Sequence, residues 1–306
     1  MPSQRIRPLV PILMALALLL PPALAAQEIE ARTLANTPVD LNLIALAYGY
    51  SKGNVFLDPS LPIEDVNAKL HIGVVRYTRT FSLGGESAKV RVVLPFSSGH
   101  WEGLLEGEFG QRDASGIGDA RFILDINVYG APALTSREIT SYRQRTIVGV
   151  SLLVVTPTGT YDRTKLINLG ANRWGLRPQL GVSRAVGSWA FEGIAGVWLF
   201  TDNNDFLEGR HLSQDPLYVL KGDAVYTIRP GVWVGVGIGY GRGGTTTVDG
   251  VIRQTLQTNY RLGGTFAYAL TAHHGISVSA ASGVATRAGA EYDSFTVAYQ
   301  YLWGPR

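Results

Sequence analysis

The sequence contains no cysteine among its 306 residues. No disulfide can form, so the folded chain must be held together by burial and backbone hydrogen bonds alone. Charged residues make up only 17% of the chain, and the formal net charge is +3. That balance gives no signal for a polyanionic partner and argues against nucleic acid. Beyond the N-terminal leader there is no apolar run long enough for a transmembrane helix.

Patterns typical of catalytic and metal sites are also missing. None of the five histidines has metal-ligand spacing, and the adjacent pair His273-His274 would point in opposite directions on a strand. No Ser/His pair stands out by spacing. The segment Gly116–Asp119 has phosphate-loop glycines but lacks the lysine and the helix that should follow them. We therefore expect no catalytic residues, no metal and no cofactor, and a non-enzymatic protein.

The first residues have the three parts of a secretory signal. Arg5 and Arg7 form a basic region, an apolar stretch runs from Leu9 to Leu20, and Ala23-Leu24-Ala25 is a small-x-small cleavage site. We predict that residues 1–25 are a cleaved signal peptide, with an uncleaved anchor helix as the alternative. Residues 26–40 are predicted to be an irregular N-terminal segment.

The residues that are abundant suit a β-barrel. The chain has 36 glycines and 30 aromatic residues (Trp 6, Tyr 14, Phe 10). Thr146–Val155 is rich in β-branched residues, Trp174–Arg184 alternates apolar with small or polar residues, and a long polar segment joins them. A tilted strand of roughly 9–11 residues crosses the hydrocarbon layer. These two strands therefore predict one hairpin of a transmembrane barrel, whereas a soluble β-sandwich would usually have shorter loops.

Tight turns alternate with long polar loops along the second half of the chain. Turns are predicted at 186–188 and 229–231, and long loops at 201–214 and 241–254. This asymmetry is typical of outer-membrane barrels, which have short periplasmic turns and long external loops. We therefore predict an all-β fold, a single antiparallel transmembrane barrel over residues 41–303, in the Gram-negative outer membrane.

The number of strands depends on one ambiguous segment. A direct count gives thirteen, whereas single-chain bacterial barrels have an even number. Merging residues 86–96 with 100–110 through a bulge at Pro95–Gly99 gives 12 strands with both termini periplasmic. Fourteen strands is the alternative, if residues 26–40 contain a further strand.

Charged and polar side chains on the strands are expected to face the lumen, because Arg or Lys on the lipid face costs about 2–4 kcal/mol at the midplane. They line a solute path or form a structural ladder of ion pairs. Arg79 and Arg184 face outward in this register, either because they lie near the periplasmic end or because the register slips by one residue. The lumen-lining candidates are Arg76, Lys89, Arg91, Glu102, Glu106, Glu108, Arg121, Asp125, Asn127, Arg177, Glu192, Lys221, Asp223 and Arg261.

A series of motifs over residues 41–303 resembles a known family. They are Ser115–Asp119, Gly130–Leu134, Pro157–Asp162, Asn168–Trp174, Phe200–Asn203, Gln214–Pro216 and Val248–Gly250. Their order and spacing resemble the outer-membrane transporter family labelled for the meta-pathway of phenol degradation, the phenol-degradation MetA-like β-barrels. The resemblance implies an outer-membrane barrel that takes up aromatic or other poorly polar small molecules, and it implies no catalytic residues.

Several of these motifs are expected near the loop mouths, where their side chains contact the solute or brace the loops. These loop-mouth candidates are Tyr161, Asp162, Asn168, Asn172, Arg173, Trp174, Asp202, Asn203 and Asp215. The expected partners are the lipid bilayer, a small-molecule solute and the outer-membrane assembly machinery. Aromatic residues of the last strand, ending at Trp303, fit an insertion signal for that machinery, although Gly304-Pro305-Arg306 follow.

The sequence thus predicts a channel for passive uptake of small organic solutes, including aromatic or phenolic ones. Two alternatives stay open at this point. An outer-membrane enzyme acting on a lipid or an aromatic substrate would need a Ser–His pair, and a structural barrel would have a plugged lumen.

Overall fold

A computed structural model describes residues 31–54, 60–61, 63–287 and 291–305. The predicted signal peptide lies outside the described residues. They form one 3-10 turn, Glu138–Thr140, and no helix that is long and apolar enough to cross a membrane. The strands are β1 (Asn42–Asn54), β2 (Ile63–Leu83), β3 (Glu86–Leu105), β4 (Glu108–Ile117), β5 (Arg121–Tyr129), β6 (Thr146–Val155), β7 (Gly175–Val186), β8 (Trp189–Phe200), β9 (Asn203–Phe206), β10 (Arg210–Gln214), β11 (Leu217–Arg229), β12 (Val232–Gly243), β13 (Thr246–Val248), β14 (Val251–Ile252), β15 (Gln257–Ala269), β16 (His274–Arg287) and β17 (Glu291–Trp303).

The large sheet closes on itself. Its strand order is β2-β1-β17-β16-β15-β12-β11-β8-β7-β6-β5-β3-β4, and β2 also pairs with β3. β4 pairs with one half of β3, and β5 pairs with the other half. These two short strands therefore occupy one strand position of the barrel. The result is the predicted closed, antiparallel barrel of 12 strands. We call the end with short connections the turn end, and the opposite end the loop end.

The barrel wall has an apolar outer face. Leu46, Leu220 and Val236 are 52%, 55% and 61% exposed, although each lies within a strand. The alternate positions of the same strands are buried toward the lumen and include charged residues such as Asp223. An outer face of this kind is stable against lipid rather than water, and backbone pairing around a closed ring leaves no sheet edge unsatisfied in the hydrocarbon.

The bulge predicted at Pro95–Gly99 is wrong. β3 pairs with β2 in unbroken register from Glu102 to Glu86. The interruption lies on the other side of β3, where residues 118–120 separate β4 from β5 and the Gly118 N–H donates to the Pro95 carbonyl at 2.8 Å. Proline in a strand marks this change of neighbour rather than an extra residue.

Without the bulge, the inward and outward alternation of β3 does not reverse. Trp101 is 2% exposed and faces inward, so Glu102 faces outward, where it lies 3.2 Å from His100. Glu106 lies in the turn after β3, and Glu108 is exposed at the start of β4. These three glutamates were predicted to line the lumen, and that prediction is wrong for all three.

Other sequence predictions about the strands are confirmed. β6 has the predicted bounds, Thr146–Val155. Arg79 and Arg184 lie near the turn end without a slip of register. Arg79 contacts Asp40 at 3.1 Å, and Arg184 donates to the Thr146 hydroxyl at 2.7 Å.

One ion pair is buried in the lumen, against the inner face of the barrel wall. Arg91 on β3 contacts Asp125 on β5 through two bonds, Nε to Oδ2 at 2.9 Å and Nη2 to Oδ1 at 3.1 Å. Both side chains are only 8% exposed. A charge buried without its partner is costly, whereas an apolar replacement of both partners is often nearly neutral.

We predict that Asp125→Ala lowers the free energy of unfolding by about 3–5 kcal/mol, because it leaves the Arg91 charge buried. The double variant Arg91→Met/Asp125→Leu should lose much less. Urea unfolding in lipid vesicles, followed by tryptophan fluorescence, measures both. Equal losses in the single and double variants would contradict the prediction.

Candidate functional site

The barrel lumen holds most of the side chains that were predicted to line it. Their strand positions alternate with the exposed, outward-facing ones. A role in lining a solute path stays a prediction, but their orientation places them where solute would pass. The inward-facing candidates are Arg76, Lys89, Arg91, Arg121, Asp125, Asn127, Arg177, Glu192, Lys221, Asp223 and Arg261.

The N-terminal segment occupies the turn end of the lumen. Residues 31–40, which we call the N-terminal plug, contain no strand. The plug is tied to the rim through the Val39 N–H, which donates to the Leu134 carbonyl at 2.9 Å, and through the Asn36 amide, which donates to the Pro132 carbonyl at 3.1 Å. The described part of the segment therefore adds no strand to the barrel and fills space inside the lumen.

Leu34 anchors the plug by fitting against two glycines of the wall. It is 5% exposed and belongs to a buried cluster with Ala131 and Ile147. A Cβ atom at Gly149 would lie 2.7 Å from a Leu34 methyl, and one at Gly181 would lie 2.9 Å from the other methyl. Gly149 and Gly181 are register partners on β6 and β7. A side chain at either position would have to displace a Leu34 methyl, and we call this pair of glycines the Leu34 slot.

Polar contacts surround the Leu34 slot. Lys89 donates to the Thr33 carbonyl at 2.7 Å, and Lys221 donates to the Thr33 hydroxyl at 3.3 Å. Lys221 also lies 3.0 Å from Asp223. The Leu34 N–H bonds to the buried Glu192 carboxylate. Three inward-facing candidates, Lys89, Lys221 and Glu192, therefore hold the plug, a role that sequence reasoning missed.

The loop end of the lumen is closed by an apolar cluster. The wall contributes Leu70 and Ile72 of β2, Trp101 of β3 and Tyr292 of β17. Residues of the long loops complete the cluster from above. These are Ile167, Phe206, Leu212 and Val248. The loops therefore fold inward over the mouth, which the sequence could not decide.

The longest loop is fastened to the wall by Asp119. One carboxylate oxygen accepts the Gly159 N–H at 2.8 Å, and the other accepts the Ala171 N–H at 2.8 Å. The backbones of Gly159 and Gly170 touch, because a Cβ at Gly159 would lie 2.7 Å from the Gly170 Cα. These contacts, which we call the Asp119 latch, connect three of the family motifs: Ser115–Asp119, Pro157–Asp162 and Asn168–Trp174.

Most of the loop-mouth candidates hydrogen bond one another or neighbouring backbone. Asn172 donates to Asn203 at 3.0 Å, and Asn203 donates to the Ala171 carbonyl at 3.2 Å. Tyr161 donates to the Asp205 carbonyl at 3.0 Å. These contacts join the long loop to the β9–β10 hairpin, and they favour the bracing interpretation.

The remaining loop-mouth candidates are spread around the rim. Asn168 accepts the Asp162 N–H at 2.8 Å, and the hydroxyl and N–H of Thr164 lower the pKa of the Asp162 carboxyl. Arg173 donates to Gln214 and lies 4.8 Å from the centre of the Phe200 ring. Asp202 lies 3.4 Å from His211. Trp174 and Asp215 are exposed.

We predict that Gly181→Ala displaces the plug, because the added methyl would overlap Leu34. Trypsin should then cut after Arg32 faster than in the wild type. Gly193→Ala on β8 is the matched control, since its added Cβ meets nothing within 4 Å. The double variant Gly181→Ala/Leu34→Ala should regain protection. Equal cleavage of Gly181→Ala and Gly193→Ala would show that the slot does not hold the plug.

We also predict that Asp119→Ala frees the long loop. It removes two charge-assisted hydrogen bonds, each worth about 1.5–3 kcal/mol. Tryptic cleavage after the exposed residues Arg163 and Lys165 should accelerate by roughly tenfold or more. Asp215→Ala serves as the control, and unchanged cleavage of Asp119→Ala would rule out the latch.

The fold is similar to that of solved outer-membrane proteins. A crystal structure of an outer membrane channel from Pseudomonas putida F1 is 20% identical, with 90% of this chain and 100% of that chain covered and a TM-score of 0.76. The β domain of the Bordetella autotransporter BrkA is 13% identical, with 86% and 100% covered and a TM-score of 0.49. The CymD monoaromatic hydrocarbon channel is 9% identical, with 92% and 95% covered and a TM-score of 0.43.

No curated protein matches the chain. The model of the family described as "Putative MetA-pathway of phenol degradation" matches residues 50–299. That match takes in the barrel from the end of β1 to β17, with the Asp119 latch and the loops that it fastens. The protein therefore belongs to this family, as the sequence motifs indicated.

Proposed function

We propose that the protein is a passive, non-enzymatic channel for uptake of small organic solutes across the Gram-negative outer membrane. The observation that carries this proposal is the distribution of polarity on the wall. Large apolar side chains face outward, and charged side chains such as Arg91, Glu192 and Lys221 face inward. A wall of this kind separates lipid from a polar interior, as solute channels require. The family's link to phenol degradation favours aromatic solutes.

The barrel is oriented by its connections. Short turns face the periplasm in barrels of this class, and long loops face outward. The turn end is then periplasmic and both termini lie there, with residues 1–25 removed after export. The latched loops close the outer mouth, and the plug fills the periplasmic exit. Solute passes when one or both of these barriers move. Transport is passive and follows the concentration gradient of the solute.

The surroundings of the histidines support a non-enzymatic role. His71 and His274 bond to tyrosine hydroxyls, and His100 bonds to Asp113 and Glu102. His211 bonds to Asn204, and His273 bonds to the Leu302 carbonyl. These partners leave the described histidines committed to structural contacts rather than to a serine nucleophile.

We predict that purified protein in liposomes admits phenol and similar aromatic solutes faster than sugars of similar size, because the cluster at the loop end is apolar. Liposome swelling and planar-bilayer conductance measure this. The heat-denatured protein is the control for leakage. If no solute enters faster than through protein-free liposomes, the protein is not a channel.

A second prediction tests whether the plug is one of the moving barriers. The chain has no cysteine, so Leu34→Cys/Gly149→Cys introduces the only possible disulfide, at a position where Leu34 already touches Gly149. Oxidation should lower solute flux, and reduction should restore it. The Leu34→Cys single variant, which has no partner thiol, is the control. Equal flux under both conditions, with the disulfide verified, would show that solute bypasses a fixed plug.

A further inference from the structure

One residue joins the plug to the barrel wall. Asp40 is the last residue of the plug and lies two positions before β1, which is paired with β2 on one side and with β17 on the other. Its φ angle is 60°, in the left-handed region that residues with a side chain seldom adopt. The chain therefore changes direction at this residue, from the interior of the lumen to the strand.

Two residues of β2 hold Asp40 in this conformation. The Asp40 N–H donates to the Thr80 carbonyl at 3.1 Å. The Arg79 guanidinium donates to the Asp40 carbonyl at 3.0 Å and to its carboxylate at 3.1 Å. The side chains of Arg79 and Asp40 are 38% and 59% exposed. Because this ion pair lies in contact with water, it can separate without leaving a buried charge.

The Thr80 hydroxyl connects the two sides of Asp40. It donates to the Pro38 carbonyl of the plug at 2.7 Å and accepts the Leu41 N–H at 2.9 Å. Thr80 is only 4% exposed, so removal of its hydroxyl would leave both backbone groups without this partner in a buried place. This one hydroxyl therefore fixes the angle between the plug and the beginning of the wall.

The other attachments of the plug can break without disturbing the barrel sheet. Thr33 is held by the ends of two long side chains, Lys89 and Lys221. Leu34 fits against the glycines of its slot, and the Val39 N–H bonds to a carbonyl in the connection between β5 and β6. None of these contacts belongs to the hydrogen-bond ladders between wall strands, so the wall stays closed when they are lost.

We propose that Asp40 is a hinge and that the Thr80 hydroxyl is its catch, so that residues 31–39 swing as one unit out of the lumen. The inference rests on the proposed channel function and specifies how the periplasmic exit opens. Hinges are a few residues at the ends of regular elements, where φ and ψ can change. The left-handed conformation strains Asp40 in the closed position. Rotation of Asp40 to an extended conformation relieves that strain and breaks the bond between Thr80 and Pro38.

The test measures how often the plug leaves the lumen. The chain has no cysteine, so Ala31→Cys and Ala35→Cys each introduce a single thiol, one on either side of Leu34. A maleimide carried on a large polyethylene glycol chain reacts with these thiols, in protein held in lipid nanodiscs, only when the plug is out. Thr80→Val should accelerate the reaction at both positions by roughly tenfold, because the Pro38 carbonyl loses its partner in the closed position.

Thr78→Val is the matched control, because it makes the same change on the same face of β2 at a residue paired with Leu43 rather than with the plug. Heat-modifiable migration verifies that each variant is folded, and Arg79→Gln replaces Thr80→Val if that variant fails. Equal reaction rates in the Thr80→Val, Thr78→Val and parent proteins would refute the catch. Acceleration at Ala31→Cys alone would indicate fraying of one end and would refute movement as a unit.

Two substitutions of Asp40 test the hinge itself. Asp40→Ala and Asp40→Gly both lose the carboxylate that contacts Arg79, but only glycine adopts a φ of 60° without strain. The reaction should therefore be faster in Asp40→Ala than in Asp40→Gly, and equal rates would show that the conformation of Asp40 does not control the plug.

Solute flux into liposomes, measured on the same variants, separates the hinge from the channel. Faster reaction together with faster flux supports both the hinge and its role at the exit. Faster reaction without a change in flux upholds the hinge and shows that the plug is not the barrier to solute.

Discussion

Satisfaction of backbone hydrogen bonds in lipid is the constraint on which the rest of this molecule depends. Hydrocarbon offers no partner to an unpaired N–H or C=O group, so the sheet must close. Closure is achieved by the pairing of β2 with both β1 and β3, and by the shared position of β4 and β5. Once the ring is closed, every side chain must face either lipid or lumen.

This alternation explains what the sequence could predict. Large apolar residues alternate with glycine along most of β12, so its outward face was predictable, and the bounds of β6 were predicted correctly. The error in β3 arose from treating Pro95 as the mark of an extra residue in its own strand. The interruption lies instead between β4 and β5, the strands next to β3, at residues 118–120. A single-sequence pattern cannot show which of two paired strands is interrupted.

The lumen contents depend on contacts between residues far apart in the chain, and these were mostly not predictable. Leu34 meets Gly149 and Gly181 only after the barrel has closed. A signal was nevertheless present, because glycine inside a strand often marks a close approach of another part of the chain. The Asp119 latch had a similar signal, since its three segments coincide with the family motifs. The motifs identified important positions but not their partners.

The attachment of the plug to β1 has a consequence for assembly. β1 pairs with the last strand, β17, so the seam of the barrel forms only when the whole chain is present. The plug directly precedes β1, and its Leu34 slot lies on β6 and β7, on another side of the ring. The step that joins the two ends of the chain therefore also brings Leu34 within reach of its slot. Closure of the wall at the β1–β17 seam therefore places the plug at the exit of the lumen.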